Sequence, residues 1–148
     1  MVDVFDPATR SQVMRAVKSR DTAPELKVRR AAHALGLRFR LQRRDLPGAP
    51  DLVLPRFNIA LFVHGCFWHG HTCARGARMP AANRNYWRAK LARNMARDKL
   101  SLKAIKKAGW RPVIVWECET KNQDQLSKIL ERRILRPAFR KKRARGYK

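Results

Sequence analysis

The chain has 148 residues, with 35 Lys plus Arg against 11 Asp plus Glu and a formal net charge of +24. That length suits one domain with a true core, and 45% hydrophobic residues is ordinary for a globular protein. The cationic excess points to nucleic acid, because it concentrates phosphate and makes binding salt-dependent; a charge-only alternative is an RNA-packing protein.

Asp6 is placed to cap a first helix with Pro7 at its first position, running to about Lys18 with Met14 and Val17 on it. Thr22-Ala-Pro-Glu25 reads as a capping box for a second helix that ends before Gly36. Arg38 to Gln42 alternates as an extended strand, and Leu46 to Pro50 reads as a turn. Asp51 to Leu54 and Asn58 to Val63 read as short apolar strands able to pair as a hairpin. A loop through Pro80 precedes a long helix from about Asn85 to Ala108, with Trp87, Leu91, Met95, Leu102 and Ile105 as a rough apolar face. Pro112 to Trp116 is fully apolar, as expected of a strand covered on both faces. Asp124 to Leu135 is a last amphipathic helix, and residues 136–148 form a basic tail, expected to be disordered in the free protein. The expected architecture is α/β: one domain over residues 1–135, with a mixed central sheet flanked by helices.

No apolar run approaches the roughly 20 residues of a membrane span. Met1 to Arg10 lacks the apolar stretch of a signal peptide. Three cysteines cannot form a complete disulfide set, so a cytosolic setting and a metal role are expected.

The densest chemistry lies between Val63 and Cys73, V-H-G-C-F-W-H-G-H-T-C, just past a strand end where α/β sheets form sites. Zinc is normally held by four N or S ligands. Cys66 and Cys73 supply two, and His69 or His71 a third. Cys118 follows another apolar strand and can supply the fourth if the two strands run parallel and adjacent. Such a closed set is structural, with no open position for water; three independently buried thiols are the simpler alternative. The remaining histidines and Asp51 then stand together near the hairpin. A carboxylate there suits Mg²⁺, and a neighbouring histidine can move protons to or from water, as metal-assisted phosphodiester hydrolysis requires. Taken singly, Asp51 could end a turn, His64 could be a core histidine, and Glu25 is explained by capping.

Collectively, Ala8-Thr-Arg-Ser11, Met14-Arg-Ala16, Arg20-Asp-Thr22, Leu46-Pro-Gly48, Pro50-Asp51, His64-Gly-Cys-Phe-Trp-His69, His71, Cys73 and Val115-Trp-Glu-Cys118 resemble the very short patch repair (Vsr) DNA mismatch endonuclease family. The resemblance runs from Asp3 to Cys118. It implies a fold similar to type II restriction endonucleases, catalytic Mg²⁺ and a structural zinc. The implied activity is nicking of one strand beside a T:G mismatch left by deamination of 5-methylcytosine. It further implies Asp51 as Mg²⁺ ligand, His64 and His69 as catalytic histidines, and Glu25 as an acidic helper. Cys66, His71, Cys73 and Cys118 would bind zinc. The family often carries Thr where Val63 stands, so a metal contact at Val63 would use its backbone carbonyl. The Glu-x-Lys end of the restriction-enzyme signature is absent, and the histidines take its place. Phe67, Trp68 and Trp87 resemble aromatics that wedge into DNA at the mismatch, and Lys90 and Asn94 match positions facing DNA. Met14 is a further wedge candidate from the first helix.

Apolar wedges cost a few kcal/mol of unstacking, and a mismatched step resists less, which selects for damage. The implied partner is double-stranded DNA with a mismatch, bound by a monomer in the bacterial cytoplasm at the nucleoid, with other repair proteins as further partners. Two other readings remain. A zinc-stabilised nucleic-acid-binding protein without catalysis explains charge and cysteines but leaves Asp51, His64 and His69 idle. A related nuclease with relaxed lesion preference is compatible with strong phosphate binding.

Overall fold

Residues 22–41, 43, 45–74 and 76–137 are described here from a computed structural model. The expected first helix, Met14 and residues 138–148 lie outside them.

The apolar run I-A-L-F-V-H forms the central strand, Ile59–His64. It is buried on both faces because helices cover both. Four strands, β1 (Arg40–Leu41), β2 (Leu52–Leu54), β3 (Ile59–His64) and β4 (Arg111–Trp116), lie in the order β1-β2-β3-β4. β1, β2 and β3 are antiparallel in turn, whereas β4 runs parallel to β3. The expected hairpin is present, with Leu54 opposite Ile59. Its bend is a 3₁₀ turn at Pro55–Phe57 closed by Asn58 at φ 56°, a left-handed conformation that Asn tolerates.

The expected strand from Arg38 to Gln42 shrinks to two residues, with Gln42 outside the description. β1 can pair only with β2, and β2 is bracketed by Pro50 and Pro55, which have no amide hydrogen to donate.

The parallel step from β3 to β4 needs a crossover, and α2 (Arg84–Lys107) supplies it. Helices α1 (Ala23–Ala34) and α3 (Gln123–Leu130) pack on the opposite face. Strand alternation divides the core. Ile59 and Leu61 join Val28, Val113, Val115, Leu126 and Leu130 on one side. Ala60 and Phe62 join Val53, Leu46 and Ile105 on the other. His64 continues the second set and faces the α2 side.

Helix α1 has the N-cap half of the expected capping box: the Thr22 hydroxyl accepts from the Glu25 amide at 3.4 Å, while the Glu25 carboxylate meets Arg29. Gly36, at φ 75°, follows its end. In α2 only Leu91 and Ile105 are buried. The expected apolar face is incomplete, because Met95 is 42% exposed and packs on Gly70, where an added Cβ would lie 2.6 Å from Met95 Sδ. After α3 the chain widens into a π-helical turn, Glu131–Leu135, and stays helical through Pro137, past the expected end at Leu135.

The turn places Arg133 against the outer edge of β4. Its guanidinium donates to Ile114 O at 2.8 Å and to both Glu119 carboxylate oxygens, at 2.9 and 2.6 Å. Glu119 in turn accepts from the Trp116 amide at 3.0 Å. Burial alone would raise the Glu119 carboxyl, but these partners hold it below its usual range.

Ile105 is fully buried and is the main anchor of α2 over the sheet. Ile105→Ala is expected to lower the unfolding free energy by about 2–5 kcal/mol, measured by urea denaturation.

Candidate functional site

The parallel register sets His64 directly opposite Trp116. Cys66 and Cys118, each two residues further on, therefore leave the sheet side by side, and the Cys118 amide donates to Cys66 Sγ at 3.3 Å. The loop after β3 folds back through His71 N to Cys66 O, 2.9 Å, and Ala77 N to Cys73 O, 2.9 Å. The Gly76 amide reaches Cys73 Sγ at 3.4 Å. This position demands glycine, since an added Cβ would lie 2.2 Å from His71 O.

One ligand atom from each of Cys66, His71, Cys73 and Cys118 lies within 4.8 Å of the others. Cys118 Sγ and His71 Nδ1 are 3.6 Å apart, close to the edge of about 3.5–3.8 Å in a tetrahedron with ordinary Zn–N and Zn–S bonds. Burial pushes the Cys66 thiol up to about 12, so its thiolate is stable only beside a cation. The set fits a metal ion. Spacing had left His69 and His71 as equals; the fold puts His71 with the cysteines and turns His69 away.

A second group forms on the α2 side. His64, His69 and Asp98 bring ligand atoms within 4.8 Å. The two imidazoles stack at 3.8 Å and 5°. His69 Nδ1 meets Asp98 Oδ2 at 2.6 Å. A carboxylate only accepts, so this bond sets a hydrogen on Nδ1. His64, buried, is pushed down to about 4 by desolvation and by the neighbouring His69. It is therefore neutral at physiological pH.

These residues, with Asp51, Val63, Gly48 and Ser101, line a cavity of about 120 Å³. Asp51 precedes β2, and its Oδ2 accepts from the Val63 amide at 2.6 Å. Burial pushes Asp51 up to about 7; the Val63 hydrogen bond opposes this, and the neighbouring Glu25 carboxyl adds to the rise. Glu25 is itself buried and meets Arg29 at 3.4 Å. The Asp51 carboxyl, buried and beside a second carboxyl, is poorly stable as an anion by itself and suits a hard cation.

Asp98 was not among the candidates from sequence. It hides in a basic helix, but it is the sole acidic residue of Arg84–Lys107. That isolation was the signal.

Beside the cavity Phe67, Trp68 and Trp87 form one aromatic cluster, with ring centroids 5.2 to 6.0 Å apart. Lys90 Nζ sits 5.4 Å from the Trp68 ring and 5.7 Å from the Trp87 ring. Asn94 Nδ2 donates to Trp68 O at 3.1 Å. Asn94 thus fixes the backbone that carries Trp68, a positioning contact the sequence did not reveal.

Residues 2–75 match the family model for DNA mismatch endonuclease Vsr. A type II nicking enzyme, V.XorIIP of Xanthomonas oryzae pv. oryzae, is 45% identical over 138 residues, covering 93% of this chain and 100% of that protein. The DNA mismatch endonuclease Vsr of Escherichia coli K12 is 41% identical over 127 residues, covering 86% and 81%. The type II nicking enzyme V.NmeAIP of Neisseria meningitidis is 38% identical over 123 residues, covering 83% and 87%. The chain belongs to the Vsr DNA mismatch endonuclease family.

Membership covers both halves of the site, since the V.XorIIP match takes in 93% of the chain. Among the described residues no helix is long and apolar enough to cross a membrane.

In this Vsr-family chain the Asp51 carboxyl links stability to pH. A pKa raised in the folded state stabilises the fold below the unfolded value of 3.8, and that contribution is lost as pH rises through about 7. Asp51→Asn keeps an acceptor for the Val63 amide and removes the ionisation. Without added divalent cation, the variant is expected to match the parent near pH 3 and to exceed it by roughly 4 kcal/mol at pH 8, read from urea melts at both pH values.

Proposed function

We propose that the protein is a strand-nicking DNA endonuclease of very short patch repair. It would cut one strand beside a T:G mismatch, using Mg²⁺ for chemistry and zinc for structure, on a restriction-endonuclease-like fold. The observation that carries the reading is one cavity lined by Asp51 and by the His64–His69–Asp98 group, with the Glu25 carboxyl beside Asp51, in a member of the Vsr family.

Cys66, His71, Cys73 and Cys118 would hold the zinc. Their soft S₃N set and mutual spacing suit it, and they leave no position for a reactive water. Asp51 would hold Mg²⁺ together with the Val63 main-chain carbonyl, and Glu25 would support Asp51. When bound, Mg²⁺ supplies charge stabilisation for the phosphate and a more acidic water. His69, oriented by Asp98, accepts a proton at Nε2 from the attacking water. His64, neutral and stacked on His69, keeps the pair from carrying two adjacent charges and presents a hydrogen bond to the phosphate.

Phe67, Trp68 and Trp87 would enter the mismatched step, with Lys90 poised over two of these rings and Asn94 holding Trp68. Met14, outside the described residues, would be a further wedge. The basic face of α2 and the basic tail would bind phosphates without reading sequence. The protein would act as a monomer in the bacterial cytoplasm, on nucleoid DNA and beside other repair proteins.

The test is a panel of duplexes, each with one mismatch, incubated with and without Mg²⁺. The reading expects Mg²⁺-dependent nicking of one strand, strongest at T:G. Binding without nicking would return the protein to a zinc-stabilised binding module, and equal nicking of every mismatch would make it a relaxed nuclease.

Role assignment is checked on matched preparations. Asp51→Ala is expected to abolish nicking while retaining zinc and duplex affinity. His69→Ala is expected to lose nicking and keep zinc, whereas His71→Ala loses zinc. Asp98→Asn removes the charge and lets an amide NH₂ face His69, so the hydrogen is no longer fixed on Nδ1. Its nicking rate is expected to fall about 10²- to 10⁴-fold with duplex affinity unchanged, measured in single turnover at saturating enzyme.

A further inference from the structure

The two clusters are joined by a column of four rings. His69 stacks on His64 at 3.8 Å and 5°. His64 meets Trp116 edge-on at 5.3 Å and 77°. Trp116 stacks on His71 at 4.1 Å and 20°. Trp116 is also the cross-strand neighbour of His64, so the sheet register itself brings these rings together.

The two histidines of the cavity are fixed by different means. His69 is held by a hydrogen bond to Asp98. His64 Nδ1 is buried with no hydrogen-bond partner. Nothing polar at that nitrogen orients the ring, so the packed rings do: His69 on its face, Trp116 on its edge, and Phe62 at 6.0 Å. Of these, Trp116 has the firmest backing. Its backbone amide is tied to Glu119, and its indole lies against His71 in the Cys/His cluster.

We infer that Trp116 is a positioning residue for the nicking reaction, transmitting the rigidity of the Cys/His cluster to the His64 imidazole. The inference rests on the function proposed above. It assigns Trp116 no contact with DNA and no proton. Its effect is geometric, and small displacements of a reacting group cost about 10²-fold in rate.

The experiment compares Trp116→Phe and Trp116→Met with the parent, all zinc-loaded. Trp116→Met fills space without a ring plane; if it fails to fold, Trp116→Leu is read in the same way. Four quantities are measured: zinc per chain, affinity for a T:G duplex, single-turnover nicking rate at saturating enzyme, and the His64 ring orientation in crystals. Trp116→Met is expected to keep zinc and bind duplex within about twofold, yet nick at least tenfold more slowly, with His64 rotated or in two orientations and His69 still on Asp98. Trp116→Phe, which keeps a ring, is expected to stay within about threefold of the parent. The inference is overturned if His64 keeps its place in Trp116→Met, or if the rate falls only as far as zinc content falls. Were the parent inactive on every duplex, the proposed function would fail, and the His64 orientation would still decide whether Trp116 positions it.

Discussion

Everything in the site hangs on the parallel pairing of β3 and β4. Parallel strands end at the same edge of a sheet, and here the register sets His64 against Trp116. Two residues later each strand delivers a cysteine, and the Cys118 amide on Cys66 Sγ locks the arrangement. Had the strands run antiparallel, Cys66 and Cys118 would lie at opposite edges, and neither cluster could form. The hydrophobic burial that holds β3 and β4 together therefore also places four potential metal ligands.

Strand alternation then divides the labour. The odd positions of β3 build the core beneath α1 and α3, and the even positions look toward α2 and end in His64. Because α2 is the crossover that parallel pairing requires, it must pass over that face. Its one acidic residue, Asp98, arrives within 2.6 Å of His69. The chemistry thus occupies a wall the topology had to build anyway, and the aromatic cluster with Lys90 extends the same wall outward.

Much of this was legible from sequence. The capping of α1, the β2–β3 hairpin, the long basic helix and the apolar β4 each follow from local pattern, and each is present. Cys66, Cys73 and Cys118 were recognisable because a short Cys/His stretch and a distant cysteine both follow apolar runs. The choice of His71 over His69 was beyond spacing, since it depends on how the loop folds back and on Gly76 letting the backbone pass. Asp98, and the contact of Asn94 with Trp68, were missed for a related reason. Helical periodicity places residues on faces, but it does not say which loop will lie against the face. The short β1 reflects a partner strand bracketed by prolines, a tertiary limit that the alternation of Arg38 to Gln42 does not contain.

Arg133 has a consequence for how the chain is made. β4 is an edge strand, six residues long and largely apolar, the kind of edge that recruits foreign strands. Its Ile114 carbonyl is covered by a guanidinium that lies 19 residues further along the chain. During synthesis the sheet can close as soon as β4 emerges, but its margin stays bare until the π-helical turn has followed. The last helical segment is thus the seal on a nascent sheet, and a polypeptide released before residue 133 would carry all four described strands with an open, sticky border.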